Sequence, residues 1–274
     1  MRGATEVAAL TLGPLVFAGD RLAAIMAIVV FLGVAAILTG RVDERIGNWS
    51  LTVVPIGIIA ARLGHVVLHW ESFAPEPFRV FSIWEGGFAG LAGLAVALLY
   101  TLYVFRDVRL RVWSIGALAG AFVAWNIAWQ LVASTEAIAA PSESFAMLDG
   151  PDRSLADFGE KPIVLNLWAS WCPPCRREMP AMATMAANRA DAVFVFANQG
   201  ESAQTVSRFL AGADLEIDHI VLDQGYALAQ HYGVSGYPAT LFLDATGTLR
   251  SLHFGEISRE TIAAGIDSAK AEWD

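Results

Sequence analysis

The sequence predicts two folds in one chain: an all-α membrane-spanning half of about four helices, followed by an α/β domain. Three observations predict this. Uncharged apolar runs long enough to cross a bilayer occur only before residue 136. Beyond that point, short strand-like runs alternate with helical ones, as in a sheet covered on both faces. Charge divides at the same place. Residues 1–135 hold nine arginines, no lysine and eight carboxylates, whereas residues 136–274 hold nine lysines and arginines against nineteen carboxylates. Neither half offers a basic surface suited to nucleic acid.

The membrane half comes first. Residues 22–40, 86–105 and 112–135 are free of charge, and each is long enough for the roughly 30 Å of a hydrocarbon core. Residues 51–70 have spanning length but include Arg62, His65 and His69. An earlier apolar stretch, 7–18, is short and broken by Gly13-Pro14, and reads as interfacial. Residues 1–134 are therefore expected to form the membrane domain, and 135–143, small and polar with Pro141, the linker. Arg41, Arg45, Arg106, Arg109 and Arg111 fall in the first and third loops and only Arg79 in the second. That bias places the first and third loops in the cytoplasm and the C-terminal domain on the far side of a bacterial inner membrane, in the periplasm. A guanidinium within a span is costly unless it meets a protein interior, water or an anion. Arg62 is thus a candidate functional residue of the membrane half, or else an anchor paired with Glu71 or Glu85. His65 and His69 share a helix face, but no third ligand accompanies them, and no metal is expected.

The α/β half, residues 144–274, follows element by element. A short strand at 145–148 ends in Asp149-Gly150. Strands are expected at 163–168 and 192–197, with a helix at 173–188 between them. Next come a helix at 203–211, a strand at 220–222 and a helix at 226–232. Strands at 239–243 and 249–254 flank the turn Asp244-Ala245-Thr246-Gly247, and the chain ends in a helix at 258–271.

The chemistry centres on Trp171-Cys172-Pro173-Pro174-Cys175, which holds the only two cysteines of the 274 residues. The pair follows a strand and opens a helix. Unpaired N–H groups and the positive end of the helix dipole stabilise a thiolate there, making Cys172 a nucleophile towards disulfides. Cys175, one turn on, is placed to resolve the mixed disulfide. A zinc site needs four ligands, and no second pair exists. Haem attachment needs a histidine where Arg176 stands. An inert bridge remains the alternative, although so short a loop constrains little chain entropy. Because residues 1–135 contain no cysteine, electrons must be exchanged with a separate donor, and no bound cofactor is called for.

Two resemblances sharpen these expectations. Asn166 through Pro180 (NLWASWCPPCRREMP) and Gly233 through Asp244 (GVSGYPATLFLD) resemble the thioredoxin fold, in its membrane-anchored TlpA/ResA-like group. The resemblance implies an exposed attacking Cys172, a buried resolving Cys175 and a Cys172–Cys175 redox disulfide. It implies that Pro238, after Tyr237, is the cis-proline facing that disulfide, and that Trp171 shields the thiol. It also implies protein thiol or disulfide substrates, a membrane donor of disulfide-reductase type, and reduction rather than oxidation, as in cytochrome c maturation. Thioredoxin's buried aspartate is here Asn166, which cannot act as a base. Glu178 is the nearest carboxylate and reads as a helix-surface charge, with proton transfer as its alternative.

Gly13-Pro14-Leu15, Ala61-Arg62-Leu63-Gly64-His65 and Ile83-Trp84-Glu85-Gly86-Gly87-Phe88 resemble the N-terminal part of prolipoprotein diacylglyceryl transferase. That family's histidine-glycine-glycine motif and later helices are missing, so the resemblance implies a related membrane scaffold that binds a lipid headgroup at Arg62, and argues against acyl-lipid transfer. Two alternatives to a disulfide reductase follow: a thiol oxidase of the same fold, and a lipid-binding, redox-sensing relative of the transferase.

Overall fold

A computed structural model of the chain describes residues 9–12, 15–132 and 137–271. It divides into two compact units, one of Gly19–Ala133 and one of Ser134–Asp274 together with Met1–Ala18. The described part of the 7–18 segment forms antiparallel strands β1 (Ala9–Leu12) and β2 (Leu15–Ala18). Its Gly13-Pro14 break, and residues 135 and 136 of the expected linker, lie outside the described residues.

The first unit contains helices α1 (Gly19–Arg41), α2 (Arg45–Leu68), the single turn α3 (Trp70–Phe73), α4 (Gly90–Val104) and α5 (Val108–Val132). Three of them, α1, α2 and α5, are long and apolar enough to cross a membrane. The remaining expected span, the third along the chain, is shorter than its charge-free run, residues 86–105. Gly86 and Gly87 take positive φ values of 76° and 78°, and Ala89, at φ −80° and ψ 88°, is not helical, so helix begins only at Gly90. Fifteen residues reach about 22 Å. At the other end of α4, the Arg111 side chain donates to the carbonyls of Leu102 and Phe105. Small residues bring α2 against α4. A Cβ on Gly93 would lie 2.7 Å from the Gly57 carbonyl oxygen, and one on Gly64 would lie 2.5 Å from the Ala92 methyl. Such close backbone approach replaces the hydrophobic drive that is lacking between helices in lipid. Trp49 is buried between Phe31 and Phe105 at centroid distances of 5.5 and 5.8 Å.

The second unit is an α/β sheet of strand order β5-β4-β3-β6-β7. In chain order it comprises β3 (Ile163–Trp168), α6 (Pro173–Asn188), β4 (Val193–Gln199), α7 (Ala203–Ala213), β5 (Ile220–Asp223), α8 (Ala227–His231), β6 (Ala239–Leu243), β7 (Leu249–Phe254) and α9 (Arg259–Ala271). Strands β3, β4 and β5 run parallel; β6 and β7 are antiparallel. All six residues of central β3 are buried, because apolar layers cover both faces. One layer contains Leu155, Phe158, Leu228 and Tyr232; the other packs α6, α7 and α9 and includes both cysteines. The strand expected at 145–148 is instead a pair of isolated bridges, Phe145 to Arg153 and Met147 to Val221. Register pairs Leu167 with Ala239, which brings Pro238 to the end of β3 from which the cysteine loop departs.

Candidate active site

Strand β3 ends at Trp168, and four residues carry the chain to the N-terminus of α6. Cys172 caps that helix, its sulfur accepting the Cys175 N–H at 3.3 Å. Pro173 and Pro174 fill the first helical positions, where a missing N–H leaves no helical bond unmade. Cys172 and Cys175 form a disulfide across 5.3 Å between Cα atoms.

Cys175 is buried as expected, but Cys172 is not exposed. Only 2% of its surface is open in this oxidised state. The physical reason is packing, since both sulfurs join the apolar layer against which Tyr237 rests. Trp171 stands 65% exposed, its ring edge-on to Tyr237 at 6.4 Å. The Tyr237–Pro238 bond is cis, and Pro238 is buried. Burial, foremost, pushes the Tyr237 phenol up to about 12.

Glu178 requires the largest correction. It is no surface charge: it is 3% exposed, on the face of α6 that also carries Cys175, Met179 and Met182. Residues three apart on a helix are neighbours, so its carboxyl lies on the Cys175 side of the helix. Asn166 Nδ2 donates to Glu178 Oε1 at 2.9 Å, and the Ile257 N–H donates to Oε2 at 3.2 Å. Burial outweighs both donors and pushes the carboxyl up to about 8. Asn166 also donates to Thr240 Oγ1 at 3.2 Å. The neighbouring Arg177 binds Glu256 through Nε and Nη2 at 2.9 and 2.7 Å, anchoring the turn whose next amide reaches Glu178.

Glu201 and Ser170 were not singled out by the sequence. Glu201 accepts from the Ser170 N–H at 2.7 Å, the Ser170 hydroxyl at 2.6 Å and Asn198 Nδ2 at 2.7 Å. It fixes the loop just ahead of Trp171 and Cys172. An acid directly after the β4 strand is a weak signal, because loops at strand ends are commonly charged.

In the helical unit, Arg62 is 94% buried and donates to five carbonyls: Arg79, Val80, Ser82, Gly86 and Gly87, at 2.6–3.2 Å. Five is the number of N–H groups a guanidinium has. Glu85, an expected partner, is engaged by Arg79 at 3.1 Å. The rings of His65 and His69 lie 4.3 Å apart, tilted by 34°. Among the described residues, no group of three or more His, Cys, Asp or Glu is placed to hold a metal ion.

A dithiol pair at a helix N-terminus, on a five-stranded α/β sheet, beside a cis-proline, defines a thiol–disulfide oxidoreductase of thioredoxin fold. Comparisons agree. Residues 135–268 match the Redoxin family. The chain is 31% identical over 154 residues to the thioredoxin-like protein YneN of Bacillus subtilis (strain 168), covering 53% of this chain and 89% of that one. It is 30% identical over 133 residues to the thiol-disulfide oxidoreductase ResA of Geobacillus thermodenitrificans (strain NG80-2), covering 48% and 76%. The chain belongs to this thioredoxin-like thiol–disulfide oxidoreductase family. Residues 8–130 match the prolipoprotein diacylglyceryl transferase family. Identity to the transferase of Halalkalibacterium halodurans (strain ATCC BAA-125 / DSM 18197 / FERM 7344 / JCM 9153 / C-125) is 37% over 70 residues, covering 26% of this chain and 24% of that protein. The chain is therefore a fusion of a transferase-like helical region with a redox domain.

Proposed function

We propose that the protein is a membrane-anchored disulfide reductase whose redox unit, residues 144–274, faces the periplasm. The buried Glu178 carries this reading. The desolvation that keeps its carboxyl protonated near neutrality also opposes the thiolate that the helix N-terminus favours, and a less stable thiolate makes a stronger reductant.

In the reaction, the Cys172 thiolate attacks one sulfur of a substrate disulfide. That bond breaks, the first substrate sulfur leaves as thiolate, and a mixed disulfide forms. Cys175 gives its proton to the Glu178 carboxylate, and its sulfur attacks Cys172 Sγ. The second substrate sulfur leaves, and the enzyme is left with the Cys172–Cys175 disulfide. Two electrons from a separate dithiol donor restore it, because the chain has no other cysteine. Trp171, Pro173, Pro174, Tyr237 and Pro238 shape the surface against which substrate lies.

Orientation rests on the arginines. Arg41 and Arg45 lie at the α1–α2 turn, and Arg106, Arg109 and Arg111 at the α4–α5 turn, against Arg79 alone between α2 and α4. Those two turns then face the cytoplasm.

The reduction potential tests direction. A value near thioredoxin's, about −270 mV, supports the reductase, and one near −120 mV makes the protein an oxidase. Cys175→Ser should trap protein partners through Cys172. A lipid-transfer activity that persisted in a Cys172→Ser/Cys175→Ser variant would instead support the transferase-like alternative. Arg62 weighs against that alternative, because its donors are already committed to backbone.

A further inference from the structure

The segment between α2 and α4 is built inside out. Phe78, Phe81, Ile83 and Trp84 are 83%, 72%, 61% and 49% exposed. Its charged pair points inward instead, Arg79 meeting Glu85 with both side chains more than four-fifths buried. Arg79 also lies 5.0 Å from the ring of buried Phe73, and Arg62 lies 5.5 Å from it. The backbone here is two short 3₁₀ turns, Pro77–Phe81 and Ile83–Glu85, not α-helix. Arg62 gathers the carbonyls of this segment: Val80, Gly86 and Gly87, together with Arg79 and Ser82, which also accept the Ser82 and Glu85 N–H groups. The Ala89 N–H is returned to the Ala61 carbonyl of α2 at 2.9 Å. Water needs no such internal pairing of a loop's backbone; hydrocarbon does.

Length gives a second, independent reason. If Arg106 marks one edge of the bilayer, the 15 residues of α4 rise about 22 Å, some 8 Å short of a core of roughly 30 Å. The residues ahead of Gly90 must then complete the crossing without being helical. Measured from Arg45 on the same edge, Arg62 lies 17 residues up α2, or about 26 Å. Both helices thus place the guanidinium and its carbonyls inside the far edge of the core.

We propose that residues 77–89 form a lipid-immersed plate, with Arg62 and the Arg79–Glu85 pair internalising its polar groups while Phe78, Phe81, Ile83 and Trp84 face acyl chains. The inference rests on the membrane-spanning reading, and its test separates the two. The full chain, carrying Cys172→Ser and Cys175→Ser, receives a single new cysteine at Phe81→Cys or Ile83→Cys and a nitroxide spin label. In phosphatidylglycerol-containing vesicles, collision with dissolved oxygen is compared with collision with a water-soluble nickel complex. Val29→Cys, on the exposed side of α1, supplies the lipid reference, and Asp149→Cys the water reference. Near-complete loss of nickel collisions at 81 and 83, matching Val29→Cys, is expected. Adding Arg62→Leu should restore them by freeing carbonyls to seek water. Nickel collisions at 81 and 83 equal to those of Asp149→Cys, with Val29→Cys still shielded, would overturn the plate. Loss of shielding at Val29→Cys as well would overturn the spanning reading beneath it.

Discussion

Glu178→Gln isolates the group on which the proposed chemistry turns. In the folded oxidised unit the carboxyl is pushed up to about 8, mainly by burial, from an ordinary value of 4.5. Between those values the folded unit keeps a proton that the unfolded chain has released. Stability from this group is therefore fully present below about pH 4.5 and is lost as pH rises towards 8. The slope is about 1.4 kcal/mol per pH unit, so between pH 5 and 8 the loss is at most about 4 kcal/mol. A glutamine in the same place does not titrate. Urea unfolding of the oxidised segment 137–274 measures both forms across this range. Wild type is expected to lose stability relative to Glu178→Gln as pH rises, and the difference should level off above about pH 8. A difference that stayed constant from pH 5 to 8 would mean the carboxyl is ionised throughout. It would then have the proton affinity of an ordinary carboxylate, too weak a base to take the Cys175 proton near neutrality, and its assigned role would fail.

Other perturbations follow from the same contacts. Glu201→Ala leaves the Ser170 N–H and hydroxyl without their acceptor; a cost of about 1–3 kcal/mol in urea unfolding is expected, with faster alkylation of reduced Cys172 as its loop loosens. Gly265→Ala drives a methyl to 2.5 Å from the Phe242 ring and should lower stability by about 1–3 kcal/mol, read as a fall in Tm of the redox unit. Gly93→Leu puts a side chain where the Gly57 carbonyl stands 2.7 Å away; it should separate α2 from α4 and lower the melting temperature of the full chain in detergent, leaving the reduction potential unchanged. Asn166→Asp sets a second carboxylate against Glu178 in place of a donor, and should move the pH dependence of the resolving step to higher pH.

Most of the redox unit was legible because its punctuation is strong. Ile163–Trp168 is an apolar run, interrupted only by Asn166 and stopped by a small-residue loop, and Pro173-Pro174 marks the start of α6. Glu178 was misread because a charge on an amphipathic helix is normally its wet side. The correction was latent in its neighbours: Cys175, Met179 and Met182 sit three before, one after and four after it, so it shares their stripe. Asn166 was a second hint, since a buried strand amide must find a partner. The exposure expected of Cys172 came from the thioredoxin resemblance, whereas the oxidised fold packs that sulfur into the apolar layer against which Tyr237 rests. In the helical unit, hydropathy counts uncharged residues without regard to backbone. It therefore carried the third span through Gly86 and Gly87, whose positive φ values exclude helix.

Two buried charges, read side by side, indicate which unit holds chemistry. Arg62 meets five acceptors with five donors, and a group so completely matched fits a proposed role as scaffold. Glu178 has roughly four lone-pair sites and receives two hydrogen bonds, one of them from a neutral side-chain amide. Desolvation without full compensation is what lifts its proton affinity into the range where thiols exchange protons. Had the fold needed that carboxylate only as a strut, a third donor or a facing cation would have kept it ionised; Arg177, the adjacent cation, is turned to Glu256 instead. The incomplete solvation of Glu178 supports the reactivity proposed for the redox unit, and the complete solvation of Arg62 supports the anchorage proposed for the helices.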